Sequence, residues 1–317
     1  TTPVYRALKD RFPSSVVEVL VKEEYASILK GNPFIDRIIA FARNDTIFSV
    51  IRSIRKRGYD LLIDLHNNLR SNLIKYASGV KHILTYNKDV RARRKLVKTK
   101  ERGSLLGRHV TERYLGVLES IGIESPAGKT AIYLEEEEIR WARSILPRGR
   151  LVGIAPGATF RTKQWPPEEC AELVKILAER GFIPVLLGDR RDQHFSIIIL
   201  GRIPGHLLAR CVDLTGRTTP RELSSVLHWC QVLVSTDSAP LHIANALEIP
   251  VVALFGPTVP EFGFAPLGEN DVLMERNLSC RPCSLHGGAS CPQGSWSCMG
   301  QIKAEDVWET IIKIVKS

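Results

Sequence analysis

No apolar run in these 317 residues approaches the ~18 needed to cross a bilayer, and no charged leader with a short apolar core opens the chain. Those absences point to a protein that stays in the cytoplasm or at most touches a membrane surface. Also missing are the Gly-x-Gly-x-x-Gly dinucleotide fingerprint, the Gly-x-x-x-x-Gly-Lys-Ser/Thr phosphate loop and any Asp-x-Asp pair that would hold a divalent ion. A phosphate ligand would therefore be met by cations, backbone amides and a helix N-terminus.

Aromatic side chains are absent where a nucleic-acid reader would need them. The net charge of +10 suits an anionic partner: nucleic acid, anionic lipid or a phosphorylated sugar. From Lys88 to Arg113 the chain carries ten Lys or Arg against three acids, yet no aromatic lies among them. Bases would have nothing to stack on, so no nucleic-acid partner is expected. The run reads either as a solvated face or as an anion-facing groove.

What is present is a globular composition, 44% apolar and 25% charged, at a length that suits two domains of about 150 residues. Short β-branched runs alternate with amphipathic segments: Val16–Val21, Ile38–Phe41, Leu61–Leu65 and Ile83–Tyr86 read as strands, and Arg108–Ile121 as a helix. After the acidic stretch Glu135–Glu138 and Leu146-Pro-Arg-Gly-Arg150 the series restarts. Leu151–Ala155, Ile183–Leu187, Val232–Ser235 and Pro250–Phe255 read as strands; Pro167–Arg180 and Ala304–Val315 read as helices. The expected division is 1–145 and 146–317, each with a parallel sheet, the last helix packing back on the first domain.

In open parallel sheets ligands bind beyond the carboxyl ends of the strands. Three polar loops of the second half follow strands. Pro156-Gly-Ala-Thr-Phe-Arg-Thr-Lys-Gln-Trp-Pro166 offers glycine, hydroxyls, Arg161 and Lys163 ahead of a helix start, which anions favour. Gly188-Asp-Arg-Arg-Asp192 is the second and Thr236-Asp-Ser-Ala-Pro-Leu-His242 the third. Alone, Asp237 or Ser238 reads as an N-cap, His242 as a structural histidine and Lys163 as a surface lysine. Together they describe one phosphate-bearing ligand across one sheet edge.

Cys170, Cys211 and Cys230 fall in apolar patterns and read as buried thiols. Cys280, Cys283, Cys291 and Cys298 crowd into a Gly/Pro-rich stretch. Four thiolates there suit a structural zinc; a disulfide, which the cytoplasm disfavours, and free thiols are the alternatives.

At this point the chain resembles glycosyltransferase family 9, the bacterial heptosyltransferases of the lipopolysaccharide inner core. The resemblance runs from Thr2-Pro-Val-Tyr-Arg-Ala-Leu-Lys-Asp-Arg-Phe-Pro13 through Asn32-Pro-Phe-Ile-Asp-Arg-Ile-Ile39 and Tyr59-Asp-Leu-Leu-Ile-Asp-Leu65 to Asp213-Leu-Thr-Gly216. Its most specific part is Asp237-Ser-Ala-Pro-Leu-His242, Ala246-Leu247 and Phe255-Gly-Pro-Thr258 at fixed spacing, and the cysteines resemble the tail of one branch.

The resemblance implies a GT-B fold, two Rossmann-like domains facing a cleft, and a metal-independent, inverting transfer of heptose from a nucleotide sugar, an ADP-heptose, to an acidic lipid-linked acceptor. By position, Thr159 and Lys163 would meet the donor pyrophosphate and Asp237 the donor sugar. The N–H groups of Ser238 and Ala239 and the His242 side chain would complete the cradle, with Asp192 at the nucleoside. Arg70, in Asn67-Asn-Leu-Arg-Ser71, is the first choice for the acceptor. A nucleotide-sugar epimerase or hydrolase on the same fold is the alternative reading.

Two departures stand out. The family's first strand ends in Gly-Asp, a few residues ahead of the position where this sequence starts with Thr1, and that aspartate is the expected general base. Asp10 lies on the wrong part of its helix to replace it. Ala239 stands where the family usually has glycine, adding a methyl group where a ligand approaches the backbone.

Overall fold

The computed structural model describes residues 1–102, 108–124 and 128–316, in two compact units. One comprises 1–90 and 108–133; the other comprises 91–107 and 134–317.

In the first unit, β1 (Glu18–Lys22) pairs in parallel with β2 (Arg37–Phe41), and β3 (Leu61–Asp64) with β4 (His82–Thr85). The helix Thr2–Arg11 buries Val4, Tyr5 and Ala7 against Leu115, Leu118 and Ile123. The helix Ile47–Arg57 is capped by Thr46, which accepts from the Ser49 N–H, and ends at Gly58 in the left-handed region; it buries Val50, Ile51 and Ile54 against Ile74 of the helix Leu69–Ala77. β1 and β3 are not paired with each other.

The second unit holds one six-stranded sheet. Its strands are β5 (Arg150–Ala155), β6 (Phe182–Leu186), β7 (Val212–Asp213), β8 (Cys230–Thr236), β9 (Val251–Phe255) and β10 (Val272–Glu275), in the order β10-β9-β8-β5-β6-β7. Every pairing is parallel. Val152, Ile154, Val232, Val234, Val252 and Leu254 are wholly shielded or nearly so, as expected of strands covered on both faces. The chain grows from β5 toward β7, then reverses through β8 to β10. The reversal between β5 and β8 is the switch point at which doubly wound sheets open a crevice for a ligand.

The observed division differs from the expected one at two places. The helix Glu136–Ile145 belongs to the second unit, because Arg221 donates twice to the Glu138 carboxylate at 2.7 Å and Trp229 Nε1 donates to the Ile139 carbonyl. The segment after Val90 also joins that unit: Leu96 packs with Val259 and Phe262, Lys100 donates to the Pro282 carbonyl, and Arg102 pairs with Glu261 and Glu275. Of the basic run, residues 103–107 lie outside the described residues; most of the rest is pinned to the second unit by these contacts. The last helix, Ala304–Lys316, buries Val307 and Ile311 in the core of its own unit and sets Trp308 edge-on to Phe182.

Candidate functional site

The loops after β5 and β8 flank the switch point, and they are joined there. Trp165 is fully buried, with its Nε1–H donating to the Ile302 carbonyl, and its backbone N–H closes the loop onto Pro156. Thr162, also buried, exchanges hydrogen bonds with Gly288. Gly287 lies at φ +96° with the Phe160 and Lys163 side chains against it, so a side chain at that position would push on the lysine stem. These contacts hold a tight turn, Arg161–Lys163, that presents Lys163.

From the other side, β8 ends in Thr236, whose Oγ1–H donates to the Gly157 carbonyl at 2.7 Å. One residue on, the Asp237 carboxylate meets the Lys163 ammonium at 2.7 Å, both side chains little exposed. The same oxygen, Oδ2, accepts from Thr258 Oγ1 at 2.7 Å. A lysine and two neutral or anionic partners thus converge from the loops after three adjacent strands, β5, β8 and β9.

The helix Ala239–Ala246 starts beside this pair. Ser238 is its N-cap with extended backbone, but no side chain caps it. No side chain takes up its first N–H groups, and a helix start of that kind attracts an anion through those groups and the helix dipole. His242, in the first turns of that helix, stands edge-on to Phe264 at 6.2 Å. The residue as a whole is exposed, yet the protein packed around its ring holds its pKa below the ordinary histidine value, against the pull of Asp237 and with the push of Lys163.

The expected residues Thr159, Lys163, Asp237, Ser238, Ala239 and His242 all lie on these two loops and the helix that follows, with Thr159 exposed. Asp192 is more deeply engaged. Its carboxylate accepts from the Asp189 N–H and packs so closely on Gly157 and Gly188 that a β-carbon at either would collide with it. Burial pushes its pKa up, opposed by the Asp189 N–H. Arg70 opens the helix Leu69–Ala77 of the first unit, exposed, with its guanidinium 5.4 Å from the Phe41 ring centre. Asp10 pairs with Arg6 on an exposed face.

One residue of this framework escaped the sequence. Arg281 is buried to 1% exposure and grips the turn after β9, donating to the Gly256 and Thr258 carbonyls and to Glu275. Glu275 also accepts from Arg102. A guanidinium between two cysteines thus fixes the turn that places Thr258 against Asp237.

The cysteines around it are not placed as a zinc site, one of the three states the sequence leaves open to them. All seven cysteines are free thiols, and among the described residues no group of three or more His, Cys, Asp or Glu side chains is placed to hold a metal. Cys298 is instead buried in the apolar core beside Met299, and Cys283 donates to the Cys280 carbonyl.

A sequence profile of glycosyltransferase family 9 (heptosyltransferase) matches residues 47–289. The chain belongs to glycosyltransferase family 9. Among family 9 proteins it is 26% identical over 279 residues to lipopolysaccharide heptosyltransferase 2 of Escherichia coli (strain K12), covering 82% of this chain and 79% of that protein. The structure of the Escherichia coli ADP-heptose lipopolysaccharide heptosyltransferase II matches 99% of this chain and 94% of its own with a TM-score of 0.81 at 22% identity. A family 9 glycosyl transferase from Veillonella parvula DSM 2008 matches 100% and 93% with a TM-score of 0.82 at 21% identity. As a family 9 member the chain is a glycosyltransferase with the GT-B fold.

Proposed function

We propose that this glycosyltransferase moves a heptose from a nucleotide sugar, an ADP-heptose, to an acidic lipid-linked sugar of the lipopolysaccharide inner core. The observation that carries the reading is the Lys163–Asp237 pair beside an uncapped helix N-terminus at the switch point of the second unit. The two Escherichia coli relatives named above are lipopolysaccharide heptosyltransferases, which supports this sugar and this acceptor class.

In this reading the donor diphosphate lies against the N–H groups of Ser238 and Ala239, with Lys163, Thr159 and His242 around it. The acceptor hydroxyl attacks the anomeric carbon, the bond from that carbon to the diphosphate oxygen breaks, and ADP leaves from the opposite face. One displacement inverts the configuration. Charge builds on the leaving diphosphate, where a preorganised ammonium and backbone dipoles stabilise it more than in the ground state. Asp237 orients Lys163 and meets sugar hydroxyls, itself held by Thr258. With no Asp-x-Asp motif, this cradle serves without a divalent ion. Arg70 meets acceptor carboxylates or phosphates, and the proton goes to a base that we assign to no residue of this sequence.

Incubation with ADP-heptose and a deacylated inner-core acceptor tests the proposal. Heptose appears on the acceptor only when both are present. Equal consumption of ADP-heptose without acceptor would favour the epimerase or hydrolase reading.

A further inference from the structure

The helix Leu69–Ala77 is amphipathic the wrong way round. Its buried face is Ile74, packed on Val50, Ile51 and Ile54, and Lys75, whose ammonium reaches Thr85 Oγ1 at 3.1 Å and the Asp64 carboxylate at 3.6 Å. At 3.6 residues per turn, Leu69, Leu73 and Tyr76 share one stripe on the opposite side. That stripe is open to solvent: Leu69 is 90% exposed, Leu73 46% and Tyr76 80%. Helices of globular proteins turn such spacing toward the core. On the first turn of the neighbouring helix Ile47–Arg57, Phe48 is 77% exposed. Single exposed apolar residues need no explanation; four on the leading turns and outer face of two packed helices do.

The charge on these two helices has one sign, and one exposed carboxylate, Asp45, precedes the first of them. The helices Ile47–Arg57 and Leu69–Ala77 carry four and two cations respectively and no acid. Arg43, Arg52 and Lys56 are exposed and have no carboxylate partner among the described residues. Both helices start at the carboxyl ends of β2 and β3, and Arg70 sits in the first turn of one of them.

We infer that this face docks on an anionic membrane surface, with Leu69, Leu73, Tyr76 and Phe48 entering the interface and the arginines and lysines meeting lipid headgroups. Apolar side chains ringed by cations fit that occupant, since burial of the first and attraction of the second act together. A second copy of the chain would bring like charges face to face, which disfavours it. The inference deepens the proposed function, because a lipid-linked acceptor would then be presented beside Arg70.

Co-sedimentation with vesicles of phosphatidylglycerol and phosphatidylcholine, against phosphatidylcholine alone, tests it. The wild type binds the anionic vesicles, more weakly at high salt. A variant with Phe48→Ser, Leu69→Ser, Leu73→Ser and Tyr76→Ser loses binding at least roughly tenfold, and Arg52→Ser with Lys56→Ser weakens it by roughly fivefold per cation. Both variants keep the wild-type melting temperature and the wild-type turnover of a deacylated acceptor. No vesicle binding by the wild type, equal binding by the four-residue variant, or a wild-type dimer that this variant dissociates would overturn the inference. Failure to turn over the soluble acceptor would instead count against the proposed transferase activity and leave the vesicle result to stand alone.

Discussion

Lys163 Nζ and Asp237 Oδ2 stand 2.7 Å apart across the β5–β8 switch point, and Thr258 Oγ1 donates to the same carboxylate oxygen. The lysine is therefore aimed before any ligand arrives, and so is the carboxylate. Removing either member leaves the other little exposed and unpaired, which is costly.

Lys163→Ala should lower transfer by roughly 10²-fold or more and weaken ADP binding, because a charge opposite the diphosphate is gone. Asp237→Ala should lower transfer by a similar factor with ADP binding kept or tightened, since Lys163 is then released to the phosphate. Calorimetric titration with ADP beside steady-state rates separates the two. Equal loss of ADP affinity in both variants contradicts the assigned roles.

Arg281→Met removes a buried guanidinium that holds three carbonyls, those of Gly256, Thr258 and Arg276, and Glu275. Urea unfolding should show a loss of about 3 kcal/mol, the lower end for breaking a buried pair because Arg102 still faces Glu275. Transfer by the folded fraction should also fall, as Thr258 loses its fixed place. A variant as stable and active as the wild type would show that the turn holds itself.

His242 has a depressed pKa in the folded chain. The unfolded chain then binds the proton more readily, so the ligand-free protein loses stability as pH falls through about 6.5. A bound diphosphate favours the charged ring instead, so ADP affinity should rise as pH falls from 7 toward 5.5 with uptake of a proton. His242→Gln should flatten both dependences. Unchanged slopes in that variant would assign them to other groups.

Thiol labelling should follow the surroundings of each cysteine. For Cys291, slight burial pushes the thiol up, but the N–H groups of Trp296, Gln293, Ser295 and Gly294 outweigh it and leave its pKa below the usual value. Burial pushes Cys230 up to about 12 and Cys211 and Cys283 up to about 11, and raises Cys170 further. Iodoacetamide at neutral pH should therefore modify Cys291 first and Cys170 and Cys230 last, read by peptide mass spectrometry. Stoichiometric zinc in protein purified without chelator, with all four tail cysteines protected, would restore the metal reading.

Most strands of both units were legible because β-branched runs end at turn residues, and the three polar loops of the second half were legible because each follows such a strand. The helices Ile47–Arg57 and Leu69–Ala77 were not placed, since the apolar residues of the second face solvent and blur the period. Arg281 was hidden because its partners, Gly256 and Thr258, meet it only in the folded sheet. The stretch after Val90 looked like a charge run; its role depends on Leu96 meeting Val259 and Phe262, over 160 residues away.

Mass and anomeric analysis of the acceptor after reaction with ADP-heptose reads the transfer itself. One added heptose with inverted configuration and one ADP released per transfer are expected, both suppressed in Lys163→Ala. ADP-heptose left intact by folded protein carrying ordered Lys163 and Asp237, or consumed at the same rate without acceptor, would contradict the proposed transfer.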